Sequence, residues 1–206
     1  MDGWITLTFI APAHADGEEE TVPPRDSVLS LTGEHQATER SLMLGNPQFD
    51  LVLVAPRRDA VDTAKQLASE STGSMMVVHH LEIISSLALP SWQRLDTMLN
   101  RHDEETFTIL SKADSDNGKL LKAFSEQALL WTKGAIITVQ KVTKKFPHNV
   151  LIISRGHLLT AIALLWFPKE AAPLTHARIG PCEGFSLVCQ VKGSEYITAI
   201  LQPFYH

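Results

Sequence analysis

The sequence contains few cysteines, and this scarcity excludes one class of protein. Only Cys182 and Cys189 occur among 206 residues. Small secreted domains that depend on disulfide bonds use many more cysteines. We therefore expect two unpaired thiols in a reducing compartment.

The chain also lacks long basic runs and long apolar runs. Its formal net charge is -5, and its basic residues cluster only in the short stretch "KVTKK" (141–145), which disfavours nucleic acid as the main partner. No run approaches the roughly eighteen apolar residues of a membrane span. The N-terminus has an acidic second residue and a short apolar run, unlike a signal peptide. We expect a cytosolic protein without a membrane partner.

What remains is the composition of a globular protein, with 44% hydrophobic and 20% charged residues. A chain of this length can bury a substantial core as one domain. We interpret residues 1–206 as a single domain. The polar stretch at residues 91–116 is predicted to be an insertion or lid.

The pattern along the chain alternates between short apolar strands and amphipathic helices. This order predicts an α/β fold: a three-layer α/β/α sandwich with a mostly parallel central sheet and a C-terminal antiparallel hairpin. Strands are expected within 4–10, 49–56, 74–80 and 150–154, helices within 30–45, 58–71, 120–146 and 156–166, and the hairpin within 185–201.

Polar side chains follow three of these strands at the point where each strand ends. They occupy residues 12–16, 56–59 and 154–157. Because parallel strands end at the same edge of a sheet, these three loops should meet there, where ligands usually bind.

Five stretches, in order, resemble the histidine phosphatase superfamily, which has the phosphoglycerate-mutase-like fold. They are "IAPAHAD" (10–16), "LTGEHQATERSL" (31–42), "FDLVLVAPRRDAVDTAKQL" (49–67), "HHLEI" (79–83) and "VLIISRGHLLTAIALL" (150–165). The resemblance implies that His14 matches the histidine that accepts a phosphoryl group. It also implies that Glu82 matches the acid that protonates the leaving oxygen. As a strand-end residue, Glu82 could equally be a solvated carboxylate.

Several positions depart from the family pattern. Ala13 and Asp59 stand where the family has its two phosphate-binding arginines, Ala15 stands where it has a glycine, and Arg155 replaces its second histidine. Phosphoryl transfer depends on cations that neutralise the equatorial oxygens. These departures therefore make ordinary phosphatase activity doubtful.

Two interpretations of the remaining arginines stay open. Arg57, Arg58 and Arg155 could form a rearranged anion site beside Asp59. Alternatively, Arg155 pairs with Asp59 or Asp16 and fills a former phosphate site.

The turn at Gly156 favours a residue that can adopt positive φ. Backbone N–H groups there, next to His157, would attract an anion at the start of the helix. His79 and His80 could approach His14, but they lack a tight ligand spacing. We expect neither a metal nor another cofactor.

Three functions follow from these observations. The first is a diverged enzyme in which His14 and Glu82 act as base and acid on a small, anionic substrate held by Arg155 and the Gly156 turn. The second is an inactive pseudophosphatase that acts as a binding or scaffolding module with a protein partner. The third is a phosphomonoesterase with relocated arginines.

Overall fold

The computed structural model describes residues 2–16, 27–78, 81, 95, 98–99, 105–112, 114–166, 168, 171, 179–192 and 195–204. The described strands are β1 (Asp2–Ile10), β2 (Leu51–Val54), β3 (Ser74–Val77), β4 (Asn149–Ile153), β5 (Gly184–Lys192) and β6 (Glu195–Phe204). The described helices are α1 (Leu31–Met43), α2 (Arg58–Leu67), α3 (Thr106–Ser111), α4 (Asp116–Thr143) and α5 (Gly156–Trp166).

The strands form one sheet in the order β3-β2-β4-β1-β5-β6. Strands β3, β2, β4 and β1 are parallel, β5 runs antiparallel to β1, and β6 runs antiparallel to β5. The predicted parallel sheet and C-terminal hairpin are therefore confirmed.

Helices cover both faces of this sheet. Every residue of β2, which reads Leu-Val-Leu-Val, is buried. A strand that is buried on both faces reads as a continuous apolar run. Helix α1 packs on α2, while α4 packs on α3 and α5. The expected α/β/α sandwich is confirmed.

Helix boundaries follow local capping chemistry. Ser30 is the N-cap of α1, and its side chain accepts a hydrogen bond from Gly33 N at 3.1 Å. Ser115 caps α4 in the same way, through Gly118 N at 3.1 Å. A serine hydroxyl thus satisfies a free N–H group in the first turn of each of these two helices.

Some predicted boundaries shift by a few residues. Helix α2 ends at Leu67 rather than residue 71, and α4 begins at Asp116 rather than 120. Strand β3 ends at Val77, so His79 and His80 lie outside the described residues. Parts of the segment at residues 91–116, namely 91–94, 96–97, 100–104 and 113, also lie outside them. Cys182 and Cys189 are both buried, free thiols, as expected.

Candidate functional site

The ends of the parallel strands meet at one edge of the sheet. Ile153 at the end of β4 pairs with Ile10 of β1 on one side and with Val54 of β2 on the other. Just beyond the strand, Ser154 N donates to Ile10 O at 3.2 Å. The loops that carry the candidate residues therefore leave the same edge, as the sequence predicts.

His14 lies four residues past β1 and is half-buried. Its backbone N–H donates to Gln36 Oε1 at 3.0 Å, and its carbonyl accepts from Ser30 N at 3.1 Å. Its ring nitrogen Nδ1 lies 2.7 Å from Ser30 Oγ. The start of α1 thus fixes both the backbone and the ring of His14.

The Ser30 hydroxyl lies at the centre of these contacts. Ser30 Oγ accepts from Gly33 N, and it lies 3.2 Å from His14 O and 2.7 Å from His14 Nδ1. A hydroxyl has one proton to donate, so it donates to one of these two atoms at a time. Nδ1 can accept that proton or donate its own to Ser30 Oγ, and in both cases the contact orients the ring.

Arg57 and Asp59 form a bidentate ion pair at the start of α2. Arg57 Nε lies 3.0 Å from Asp59 Oδ1, and Arg57 Nη2 lies 2.8 Å from Asp59 Oδ2. Each residue is only 4% exposed. Ala60 N donates to Asp59 Oδ1 at 2.7 Å, which binds the carboxylate further to the first turn of the helix. The carboxylate of Asp59 therefore neutralises the charge of Arg57, and it contacts the guanidinium in the bidentate geometry that a bound anion would use.

Arg58 faces solvent on the outer side of α2. Its Nε lies 3.7 Å from Asp62, which also pairs with Lys65 at 2.9 Å. The structure thus separates the two adjacent arginines: Arg57 enters the protein, and Arg58 joins a surface charge network.

Arg155 lies just before α5, and Gly156 and His157 are the first two residues of that helix; all three are half-buried. The Arg155 carbonyl accepts hydrogen bonds from Leu158 N at 3.0 Å and from Leu159 N at 3.1 Å, and these bonds form the first turn of α5. Asp59 is the partner of Arg57. The pairing of Arg155 with Asp59 or Asp16 stays a prediction.

The expectation that Gly156 adopts a positive φ is wrong. Among the described glycines only Gly45 has positive φ, at 75°. A Cβ at Gly156 would lie 2.3 Å from Ile179 O. Glycine is needed there because another backbone segment approaches closely, and not because of its own turn.

Further contacts that sequence reasoning missed hold the loop after β1. Ala13 N donates to Thr63 Oγ1 at 3.0 Å, and Thr63 Oγ1 donates to Asp59 O at 2.7 Å. Thr63 lies one helical turn beyond Asp59, a spacing that indicates a shared helix face. The contact with Ala13 has no signal in the sequence, since it joins residues fifty positions apart.

A buried arginine supports the same loop from its other side. Arg40 is 2% exposed, and its Nε donates to Cys182 O at 2.8 Å. Cys182 N in turn donates to Pro12 O at 3.2 Å. Burial raises the pKa of the Cys182 thiol to about 12, an effect that the nearby Arg40 charge partly offsets. Cys182 is therefore a structural thiol rather than a reactive one.

Other predicted site residues cannot be placed. Glu82 lies outside the described residues, as do His79 and His80. Within the described ranges, no group of three or more His, Cys, Asp or Glu side chains could hold a metal ion. No described helix has both the length and the hydropathy of a membrane span.

Comparison with solved structures identifies the fold. A mycobacterial glucosyl-3-phosphoglycerate phosphatase is 15% identical with a TM-score of 0.67, and the match covers 97% of this chain and 98% of that one. A phosphoglycerate mutase from Bacillus anthracis is 15% identical with a TM-score of 0.62, over 97% and 93% of the two chains. A phosphoserine phosphatase from Entamoeba histolytica, solved with 3-phosphoglyceric acid, is 14% identical with a TM-score of 0.62, over 97% and 98%.

Comparisons at the level of sequence give less. No protein-family model matches the chain. A zinc metalloproteinase, nas-15 of Caenorhabditis elegans, is 26% identical over 102 residues, which is 48% of this chain but only 18% of that protein. The chain thus spans a small part of that relative. The structural likenesses show that it has the phosphoglycerate-mutase-like fold expected from the sequence.

Proposed function

We propose that this chain is a diverged member of the histidine phosphatase superfamily that has lost phosphomonoester hydrolysis and acts as a binding module. The buried Arg57–Asp59 ion pair is the observation that carries this proposal. Asp59 occupies the position at which the family has its second phosphate-binding arginine, so the local charge is inverted.

This inversion bears directly on phosphoryl transfer. The reaction places negative charge on the equatorial oxygens, and a guanidinium stabilises that charge only if it can reach them. Arg57 donates its Nε and Nη2 hydrogens to Asp59 instead. Because Asp59 is buried, a phosphate near it would also meet a carboxylate that little water screens. Ala13, at the position of the first family arginine, supplies no charge.

An aryl phosphate assay tests the loss of hydrolysis. We compare wild type, His14→Ala and Arg155→Ala, with a phosphoserine phosphatase of the same fold as the positive control. We expect the three proteins to release phosphate at the same background rate. Turnover by wild type that disappears in His14→Ala would overturn the proposal.

A second candidate function is favoured by the His14–Ser30 contact. The 2.7 Å bond to Nδ1 is one that would hold a catalytic imidazole in a single orientation. In this alternative, His14 acts as base and Glu82 as acid on a small anion held by Arg155 and the turn at Gly156. The test uses a panel of small phosphorylated and carboxylated compounds. His14→Ala should abolish turnover and leave the thermal transition nearly unchanged, whereas turnover retained by that variant rules this candidate out.

A phosphomonoesterase with relocated arginines has the least support. Arg57 is paired with Asp59, and the Arg58 side chain is 60% exposed beside Asp62. Arg155 alone would have to replace two family arginines. The aryl phosphate assay decides this alternative too, because it requires a rate that falls in Arg155→Ala.

The remaining proposals concern context. We propose one domain, with residues 91–116 as its insertion, and a cytosolic location without a membrane or nucleic acid partner. Ligands to test first are small phosphorylated molecules, since the similar structures include a glucosyl-3-phosphoglycerate phosphatase and a complex with 3-phosphoglyceric acid.

A further inference from the structure

The C-terminal half of α4 presents an apolar strip to solvent. It contains Leu130 at 61% exposure, Trp131 at 51%, Ile137 at 43% and Val142 at 77%. The strip runs from residue 130 to residue 142, and the twelve helical rises between them correspond to about 18 Å. Helices on protein surfaces usually keep polar residues on their outer face. An apolar outer face of this length is typical of an interaction surface.

Gly134 lies between Trp131 and Ile137 of this strip, and no contact within the described chain requires a glycine there. A Cβ at this position would meet nothing within 4 Å. Its φ is also not positive. Glycine is less favourable than alanine in a helix interior. A small residue there lets a second helix approach closely, since the distance between helix axes depends on the side chains at the contact.

The charges beside the strip indicate which helix could pack there. Glu126 and Lys141 are both exposed, and within the described part of the chain neither residue forms an ion pair. Their midpoint falls between residues 133 and 134. If two copies of α4 pack antiparallel about a two-fold axis at Gly134, residue 141 of one copy lies beside residue 126 of the other. Both Lys–Glu pairs form at once, as an isologous interface requires.

We propose that the protein forms a two-fold symmetric dimer through antiparallel packing of α4 on α4, centred at Gly134. In this register Leu130 of each copy lies beside Ile137 of the other, and Glu126 of each copy pairs with Lys141 of the other. The interface lies on the outer side of a helix. It does not involve the loops at the carboxyl edge of the sheet, so this proposal is independent of the proposed function.

Sedimentation equilibrium of the full chain tests the dimer. Wild type should sediment as a dimer at micromolar concentration, and Leu130→Asp should dissociate at least tenfold more readily. Leu42→Asp is the matched control, because Leu42 on α1 is 63% exposed but lies outside the strip. A monomeric wild type, or equal weakening by the control, overturns the proposal.

Charge reversal tests the antiparallel register separately. Glu126→Lys and Lys141→Glu should each weaken the dimer severalfold, and the double variant should restore the wild-type dissociation constant. Because both residues are exposed, neither change threatens folding. A double variant weaker than both single variants contradicts the register. Monomeric wild type that binds another protein through this face would likewise overturn the dimer.

Discussion

Replacing Asp59 by alanine tests the Arg57–Asp59 pair directly. The variant removes the carboxylate that binds Arg57 Nε at 3.0 Å and Nη2 at 2.8 Å, at a position only 4% exposed. Removing one partner of a buried pair costs about 3–5 kcal/mol, because the other charge stays buried without it. For a domain of this size, that corresponds to a fall in Tm of about 6–20 °C.

Asp62→Ala is the matched control on the same helix. Asp62 pairs with Arg58 and Lys65 at the surface, where an ion pair contributes at most about 1 kcal/mol. Urea unfolding followed by circular dichroism gives the free energy of unfolding for each variant. If Asp59→Ala costs no more than Asp62→Ala, the pair has no special role and the reasoning fails.

Added phosphate tests whether the carboxylate of Asp59 occupies a position beside Arg57 that an anion can bind. In Asp59→Ala, phosphate can take the place of the carboxylate beside Arg57. A ligand that binds only the folded state at a hundredfold excess over its Kd stabilises by about 2.7 kcal/mol. We expect phosphate to raise the Tm of Asp59→Ala and to leave wild type unchanged. Equal shifts in both proteins would contradict this expectation.

Three further predictions concern the surroundings of the site. Ser30→Ala and Ser115→Ala each remove an N-cap and should cost about 0.5–2 kcal/mol; only Ser30→Ala should shift the His14 Nδ1 resonance in nitrogen NMR, and an unchanged resonance refutes the contact with Ser30. Gly33→Ala places a Cβ 1.9 Å from His14 O and should destabilise by about 1–3 kcal/mol in urea unfolding, so a gain in stability argues against this close approach. Because burial raises the pKa of Cys182 from 9.0 to about 12, the unfolded chain loses this proton first, and the free energy of unfolding should fall as the pH rises through that range. Cys182→Ala should have a shallower slope, and equal slopes would show that another group is responsible.

The sheet and the meeting of three loops at one of its edges could be predicted because they depend on patterns within single segments. Four consecutive apolar residues at 51–54 indicate a strand buried on both faces, and β2 is such a strand. Parallel strands leave their following loops at one edge, so the grouping of residues 12–16, 56–59 and 154–157 follows from strand direction alone.

The contacts inside the site could not be predicted, because they depend on where each side chain turns. Adjacent Arg57 and Arg58 are equivalent in the sequence, yet one is buried and the other is exposed. The first residue before a helix can point its side chain inward or outward, and only the packed structure decides. Gly156 shows the same limit: the sequence contains the glycine but not the approach of Ile179 O, which comes from a distant segment.

The charge inversion that we propose at Asp59 would link stability and phosphate binding in opposite directions. A site that binds phosphate must hold cations whose charge the protein itself leaves uncompensated, which costs folding free energy until the ligand arrives. Here the carboxylate of Asp59 supplies that compensation permanently. The first turn of α2 is also bonded to the loop before His14, because Thr63 Oγ1 donates to Asp59 O and accepts from Ala13 N. Any substitution that frees Arg57 for phosphate should therefore destabilise the unliganded protein. We would measure Tm with and without phosphate for wild type, Asp59→Asn and Asp59→Ala. The lower the Tm of a variant without phosphate, the larger the rise in Tm on adding phosphate should be. A variant that gains phosphate affinity without losing stability would show that the ion pair does not fill the family's anion site.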